Sequence, residues 1–147
     1  LPLGDELADQ RNFNIKTQYL DGEGKPLDIS KLRQGTEITA KITVTNTSND
    51  WVGNVALSKI FPGGWEIVNT SFTDLGGGAD GNARYPDIRD DRVNIYFDLG
   101  AQKTKTLTIK LNASYLGKYY LPGTQVEAMY DNSYYARNQG MWVTVEQ

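Results

Sequence analysis

The segment Arg84-Tyr85-Pro86-Asp87-Ile88-Arg89-Asp90-Asp91-Arg92 interleaves three arginines with three aspartates. Three chemistries are open to it. Charges that alternate within a few residues form local ion-pair networks, each exposed pair contributing about 0–1 kcal/mol. Asp80, Asp87, Asp90 and Asp91 can supply the hard oxygen ligands that calcium takes. Their spacing matches no EF-hand loop, however, and the flanking arginines raise the cost of a nearby dication. As a docking loop, the same segment presents guanidinium groups suited to bidentate contacts across an interface.

A second cluster is aromatic: Tyr115, Tyr119, Tyr120, Tyr130, Tyr134, Tyr135 and Trp142 crowd the last third of the chain. Most fit cross-strand packing, where tyrosine favours strands. Tyr134 and Tyr135 follow the turn-forming Asp131-Asn132-Ser133, so at least one ring is expected to protrude, and with Arg137 alongside the pair resembles an interface anchor. A platform for stacking sugars is the competing use.

Nucleophilic and metal chemistry find little support. The chain has no cysteine and no histidine, which removes disulfides, thiolates, imidazole bases and the usual zinc and haem ligands. Ser58 and Lys59 are adjacent, so on a strand they face opposite sides. Gly76-Gly77-Gly78 lacks the lysine and following helix of a phosphate loop. Paired carboxylates of the glycosidase kind are present as residue types, but no spacing singles out an acid and a base. No cofactor is expected.

The elements that must hold these clusters are strands. Phe13, Ile15, Thr17 and Tyr19 alternate with polar residues up to the turn cluster Asp21-Gly22-Glu23-Gly24-Lys25-Pro26. Ile38, Ala40, Ile42 and Val44 do so more clearly, ending at Asn46-Thr47-Ser48-Asn49-Asp50. Val52 to Phe61 carries apolar residues of both parities, which predicts a central strand buried on both faces. Pro62-Gly63-Gly64 interrupts, Trp65 to Val68 forms a short strand, and Thr73 to Asp91 is expected to be a long loop. Trp65 itself reads as a core-capping side chain. Val93 to Leu99, Leu107 to Leu111, Tyr119 to Leu121, Thr124 to Tyr130 and Met141 to Val145 complete the series. Seven or eight short strands predict an all-β, two-sheet antiparallel sandwich with Greek-key connections. Leu1 to Gln10 shows no pattern and is expected to be the remnant of a linker, with the sandwich domain spanning 11–147.

A length of 147 residues suits one domain, and a net charge of -3 without any basic run argues against nucleic acid as a partner. No apolar stretch reaches the length of a membrane span. An isolated domain of this kind is expected to be monomeric.

The wording of the loops adds to this. Phe61-Pro62-Gly63-Gly64-Trp65-Glu66-Ile67-Val68-Asn69, Asp87-Ile88-Arg89-Asp90-Asp91-Arg92-Val93, Tyr119-Tyr120-Leu121-Pro122-Gly123 through Val126-Glu127-Ala128-Met129-Tyr130-Asp131, and the stretch from Ala136-Arg137 to Trp142-Val143 resemble the C-terminal domain of bacterial alpha-2-macroglobulins. The resemblance runs from about Phe13 onward. It implies a macroglobulin-like β-sandwich from a large endopeptidase inhibitor that is periplasmic or, as a lipoprotein, envelope-attached. In that family, cleavage of a bait region triggers a conformational change and a thioester in a separate domain captures the protease. Without cysteine this segment cannot form a thioester, so the resemblance implies a non-enzymatic interaction domain. Its partners would be the thioester and neighbouring macroglobulin-like domains of the same parent chain, with target proteases engaged through the parent. The candidate interface residues are Tyr85, Asp87, Arg89, Asp90, Asp91, Arg92, Tyr134, Tyr135 and Arg137. The competing functions are a stand-alone adhesin or carbohydrate-binding module and, with least support, a carboxylate-dependent hydrolase.

Overall fold

A computed structural model describes residues 9–74, 87–88 and 91–147. Thirteen strands follow one another: β1 (Asp9–Arg11), β2 (Phe13–Leu20), β3 (Lys31–Arg33), β4 (Glu37–Asn46), β5 (Val52–Ile60), β6 (Trp65–Asp74), β7 (Asp87–Ile88), β8 (Arg92–Leu99), β9 (Thr104–Ala113), β10 (Gly117–Leu121), β11 (Gln125–Ala128), β12 (Asp131–Arg137) and β13 (Met141–Glu146). There is no helix among the described residues. The all-β expectation from period-two alternation therefore holds.

Hydrogen bonding sorts the strands into a six-stranded sheet ordered β1-β12-β11-β5-β8-β7, a four-stranded sheet ordered β2-β4-β9-β6 and a small sheet ordered β10-β13-β3. The chain changes sheet between β4 and β5, β5 and β6, and β8 and β9, so spatial neighbours are mostly non-consecutive strands, as in Greek-key connections. Inward residues of all three sheets, among them Phe13, Ile38, Ile42, Leu57, Ile95, Leu107, Leu121, Val143 and Val145, join one buried cluster. β4 shows why: Ile38, Ala40, Ile42, Val44 and Asn46 are buried in strict alternation. Asn46 ends the run without an unsatisfied amide. Its Nδ2 donates to the carbonyls of Asp50 (2.8 Å) and Leu99 (3.2 Å), and its Oδ1 accepts from the Ser48 backbone N–H (2.9 Å) and hydroxyl (2.7 Å).

Departures from the sequence reading trace to β-bulges and very short strands. β5 is central, lying between β11 and β8, but only Val52, Val55, Leu57 and Lys59 are buried along it. The register slips between Val52 and Val55, where Asn54 adopts φ 54, and that slip produced the mixed parity. β6 runs on to Asp74 instead of stopping at Val68, because a bulge between Ile67 and Asn69 throws Val68 outward and then restores pairing with β9. β7 occupies part of the segment expected to be loop. β3 pairs with β13 in parallel, whereas the other named strand pairs among the described residues are antiparallel. Asp9 and Gln10, in the stretch expected to be linker, pair with Arg137 and Ala136.

Candidate functional site

The two groups of candidate interface residues do not meet. Tyr134, Tyr135 and Arg137 lie on β12, near one edge of the six-stranded sheet, whereas Asp87 lies on the opposite edge strand, β7, and Arg92 begins β8. A single row of paired positions, Asp9, Arg137, Gln125, Ser58, Asn94 and Asp87, crosses the sheet and joins the two edges. At about 4.8 Å per strand, Arg137 and Asp87 are roughly 19 Å apart. Of the remaining residues in the charged segment, Tyr85, Arg89 and Asp90, together with Asp80, lie outside the described residues. Asp91 and Arg92 form an exposed ion pair at 3.3 Å, and the Asp91 carbonyl accepts the Phe61 N–H at 2.6 Å, tying the start of β8 to the end of β5. Among the described residues no three acidic or other ligating side chains gather as a metal site.

At the other edge the protruding ring is Tyr130, not Tyr134 or Tyr135. β11 and β12 form a hairpin whose two connecting residues are Met129 and Tyr130, 51% and 82% exposed. Neither has positive φ, so this is not a turn of the primed kind that matches strand twist. The mismatch is absorbed by a register slip: Glu127 pairs with Tyr135, but Ala128 already pairs with Asp131. Asp131-Asn132-Ser133, expected to be the turn, instead fills the bulge. The Asp131 carboxylate accepts from the Ser133 hydroxyl (2.6 Å) and N–H (3.0 Å), bonds that hold its pKa below the usual carboxylate value. Asn12 pins the bulge by donating from Nδ2 to the Ser133 carbonyl at 2.9 Å, while the Met129 N–H donates to the Asn54 carbonyl at 2.9 Å. The tip is thus anchored at its base from two other strand ends. Tyr134 turns inward against Phe13, ring centroids 5.4 Å apart, and Tyr135 and Arg137 line a hollow of about 270 Å³ with Asp9, Arg11 and Glu127.

A second polar feature, unforeseen from the sequence, lies where the three sheets meet. Lys59 continues the inward series Val55, Leu57, Lys59, Phe61 and is 1% exposed. Its Nζ donates to the Tyr19 hydroxyl at 2.7 Å and to the Pro122 carbonyl at 3.4 Å, and it sits 5.4 and 5.5 Å from the Tyr19 and Phe61 ring centroids. Burial pushes its pKa down to about 7, and burial likewise pushes the Tyr19 phenol well above its usual value. Trp65 closes the far side of Tyr19 and Phe61, with ring centroids 6.1 Å from each, and is 2% exposed, so it packs into the core. Its indole N–H has no acceptor among the described residues. Alternation alone could have flagged Lys59, since a lysine at an inward slot breaks the pattern. The displaced parity at Asn54 hid that slot.

The geometry defines a class: a macroglobulin-like all-β sandwich with an anchored aromatic hairpin tip and a buried amine at its sheet junction. The chain belongs to the bacterial alpha-2-macroglobulin MG10 domain family, whose model matches residues 13–132. It is 32% identical over 132 residues to an alpha-2-macroglobulin of Rickettsia conorii, covering 86% of this chain and 7% of that protein. It is 27% identical over 123 residues to one from Pasteurella multocida, covering 84% of this chain and 6% of that protein. The native conformation of Escherichia coli alpha-2-macroglobulin has the same fold, with a TM-score of 0.83 at 20% identity over 100% of this chain and 10% of that one. The chain therefore spans no more than about a tenth of each of these relatives.

Proposed function

We propose that this chain is an interaction domain of a bacterial alpha-2-macroglobulin-type endopeptidase inhibitor, that it packs against the thioester-bearing domain of the same parent chain, and that it contributes no catalytic step of its own. The observation that carries this reading is the Met129–Tyr130 tip, which exposes two large side chains on a turn held from below by Asn54 and Asn12. Exposing a tyrosine to 82% forgoes the gain of burying it, and a rigid aromatic at a fixed tip suits reversible burial against a partner. Such a contact can hold a neighbouring domain closed and release it when the parent changes shape. Family membership supports the parent's inhibitor role; in this proposal that parent resides in the periplasm or is attached to the envelope, where it engages target proteases.

The test is a binding measurement between the purified chain and the separately expressed thioester domain of its parent, with glycans and free proteases as controls. Saturable binding to the thioester domain alone, weakened at least tenfold by Tyr130→Ala, is the expected result. Binding to a glycan instead, or undiminished binding by the Tyr130→Ala variant, would overturn the reading.

A further inference from the structure

Lys59 stands at the base of a cavity of about 220 Å³. The walls come from all three sheets: Thr17 and Tyr19 of β2, Lys59 of β5, the Leu121–Thr124 crossing between β10 and β11, and Met141 of β13. Gln139 and Met141, both exposed, form the rim. Gly123 lies so close to the Asn138 carbonyl that no side chain fits there, and this backbone crossing fixes one wall.

Most polar side chains of this cavity satisfy one another, while Lys59 and Tyr19 keep donors to spare. Thr17 donates to Asn138 Oδ1 at 2.5 Å and shares a hydrogen bond with Thr124 at 3.0 Å, while Asn138 Nδ2 donates to the Ile15 carbonyl at 3.3 Å, so these three are occupied with one another. An ammonium has three N–H donors, and Lys59 uses two. The Tyr19 oxygen accepts from Lys59, but its own hydrogen has no acceptor among the described residues. Among the described residues no carboxylate lines the cavity. A buried ammonium without a counter-charge is costly, and an anion that accepts from both the amine and the phenol relieves that cost.

We propose that this cavity is a binding site for a single carboxylate, seated on the Lys59 amine and the Tyr19 hydroxyl. One lysine balances a monoanion; a doubly charged phosphate or sulfate would leave a net negative charge among apolar walls. Leu121, Pro122 and Met141 suit the short alkyl stem that a carboxylate carries. Only the protonated amine attracts the anion, so binding and protonation of Lys59 reinforce one another. Tyr19, the other titratable residue of the lining, stays neutral and donating throughout the working range. The site stands whether or not the hairpin tip docks as proposed above.

The probe is sodium acetate, compared with sodium chloride at equal ionic strength, added to the 147-residue chain at pH 6. The readouts are the Lys59 Cε resonance and the thermal unfolding midpoint. Acetate is expected to raise both the Lys59 titration midpoint and the unfolding temperature saturably, with apparent affinity falling about tenfold for each pH unit above that midpoint. Lys59→Met should abolish both responses, and Tyr19→Phe, which retains the amine, should weaken them. Acetate behaving as chloride does on folded wild-type chain would overturn the proposal, and that comparison needs no variant. Competition by N-acetylglutamate N-methylamide identifies a chain-borne carboxylate as the natural occupant, whereas competition by propionate alone identifies a free small acid.

Discussion

The sheet junction and the hairpin tip break the ordinary burial rule in opposite directions. At the junction a lysine is 1% exposed; at the tip a tyrosine is 82% exposed. The tip is locally well satisfied, whereas the junction leaves one Lys59 N–H and the Trp65 indole N–H without an acceptor among the described residues. The Asp131–Ser133 bonds hold the bulge behind the tip. Folding alone would exchange the two residue types, placing an apolar side chain inside and a polar one outside. Both exceptions therefore point to something beyond the isolated fold, an anion in one case and a partner surface in the other.

The sharpest way to break that comparison is to remove the packing beneath the junction. Trp65→Ala is expected to cost about 3–5 kcal/mol, read as a lowered denaturant midpoint, because it empties a large core site between Tyr19 and Phe61. An unchanged midpoint would mean that Trp65 does not support the junction at all. Next in size is Lys59→Met, expected to stabilise the chain by about 1–4 kcal/mol at pH 6 through loss of a buried charge.

The pH dependence separates the two junction residues. Lys59 has a folded pKa of about 7 against an ordinary value of 10.5. Between those values the unfolded chain binds more protons, so stability rises with pH across that window. The cost of the buried charge is fully present below pH 7. Tyr19 acts oppositely: its raised pKa means that the unfolded chain loses a proton first, so stability falls as pH climbs above 10. Unfolding measured from pH 6 to 11 should therefore peak near pH 10. Lys59→Met should erase the rise, and Tyr19→Phe should erase the fall while costing about 1 kcal/mol from the lost hydrogen bond.

At the tip, Tyr130→Ala is expected to change stability by less than about 0.5 kcal/mol, since the ring is already in water. A loss of stability comparable to that of Trp65→Ala would make the tip part of the core and end the contrast. The smallest effect concerns the charged segment: millimolar calcium is expected to leave the melting temperature unchanged, and a saturable rise would instead assign a metal role to its aspartates.

Much of the scaffold was legible because alternation is a direct imprint of one-sided burial. The inward series Ile38, Ala40, Ile42, Val44 and the pair Phe13 and Ile15 are buried as their spacing implies. What alternation cannot register is a single inserted residue. Asn54 shifted the apparent faces of β5 and concealed Lys59; Val68 cut β6 short on paper; the bulge after Asp131 moved the turn back to Met129 and Tyr130. The three-residue strand Lys31–Arg33 buries one side chain and Asp9–Arg11 none, too few to show a period. The interface candidates rested on expected exposure and on the family-like loop strings, neither of which reveals that β12 and β7 lie toward opposite edges of one sheet.

That separation has a mechanical meaning. Because Asp9, Arg137, Gln125, Ser58, Asn94 and Asp87 stand in one continuous row, any body gripping the β12 side is held a set distance from any body gripping the β7 side. The sheet is then a spacer bar. Tension between two such bodies would run along the rungs of the ladder, each link in series, and the bar would yield first at its weakest rung among the described residues: the two-residue β7, joined there to β8 by Asp87 and Ile88.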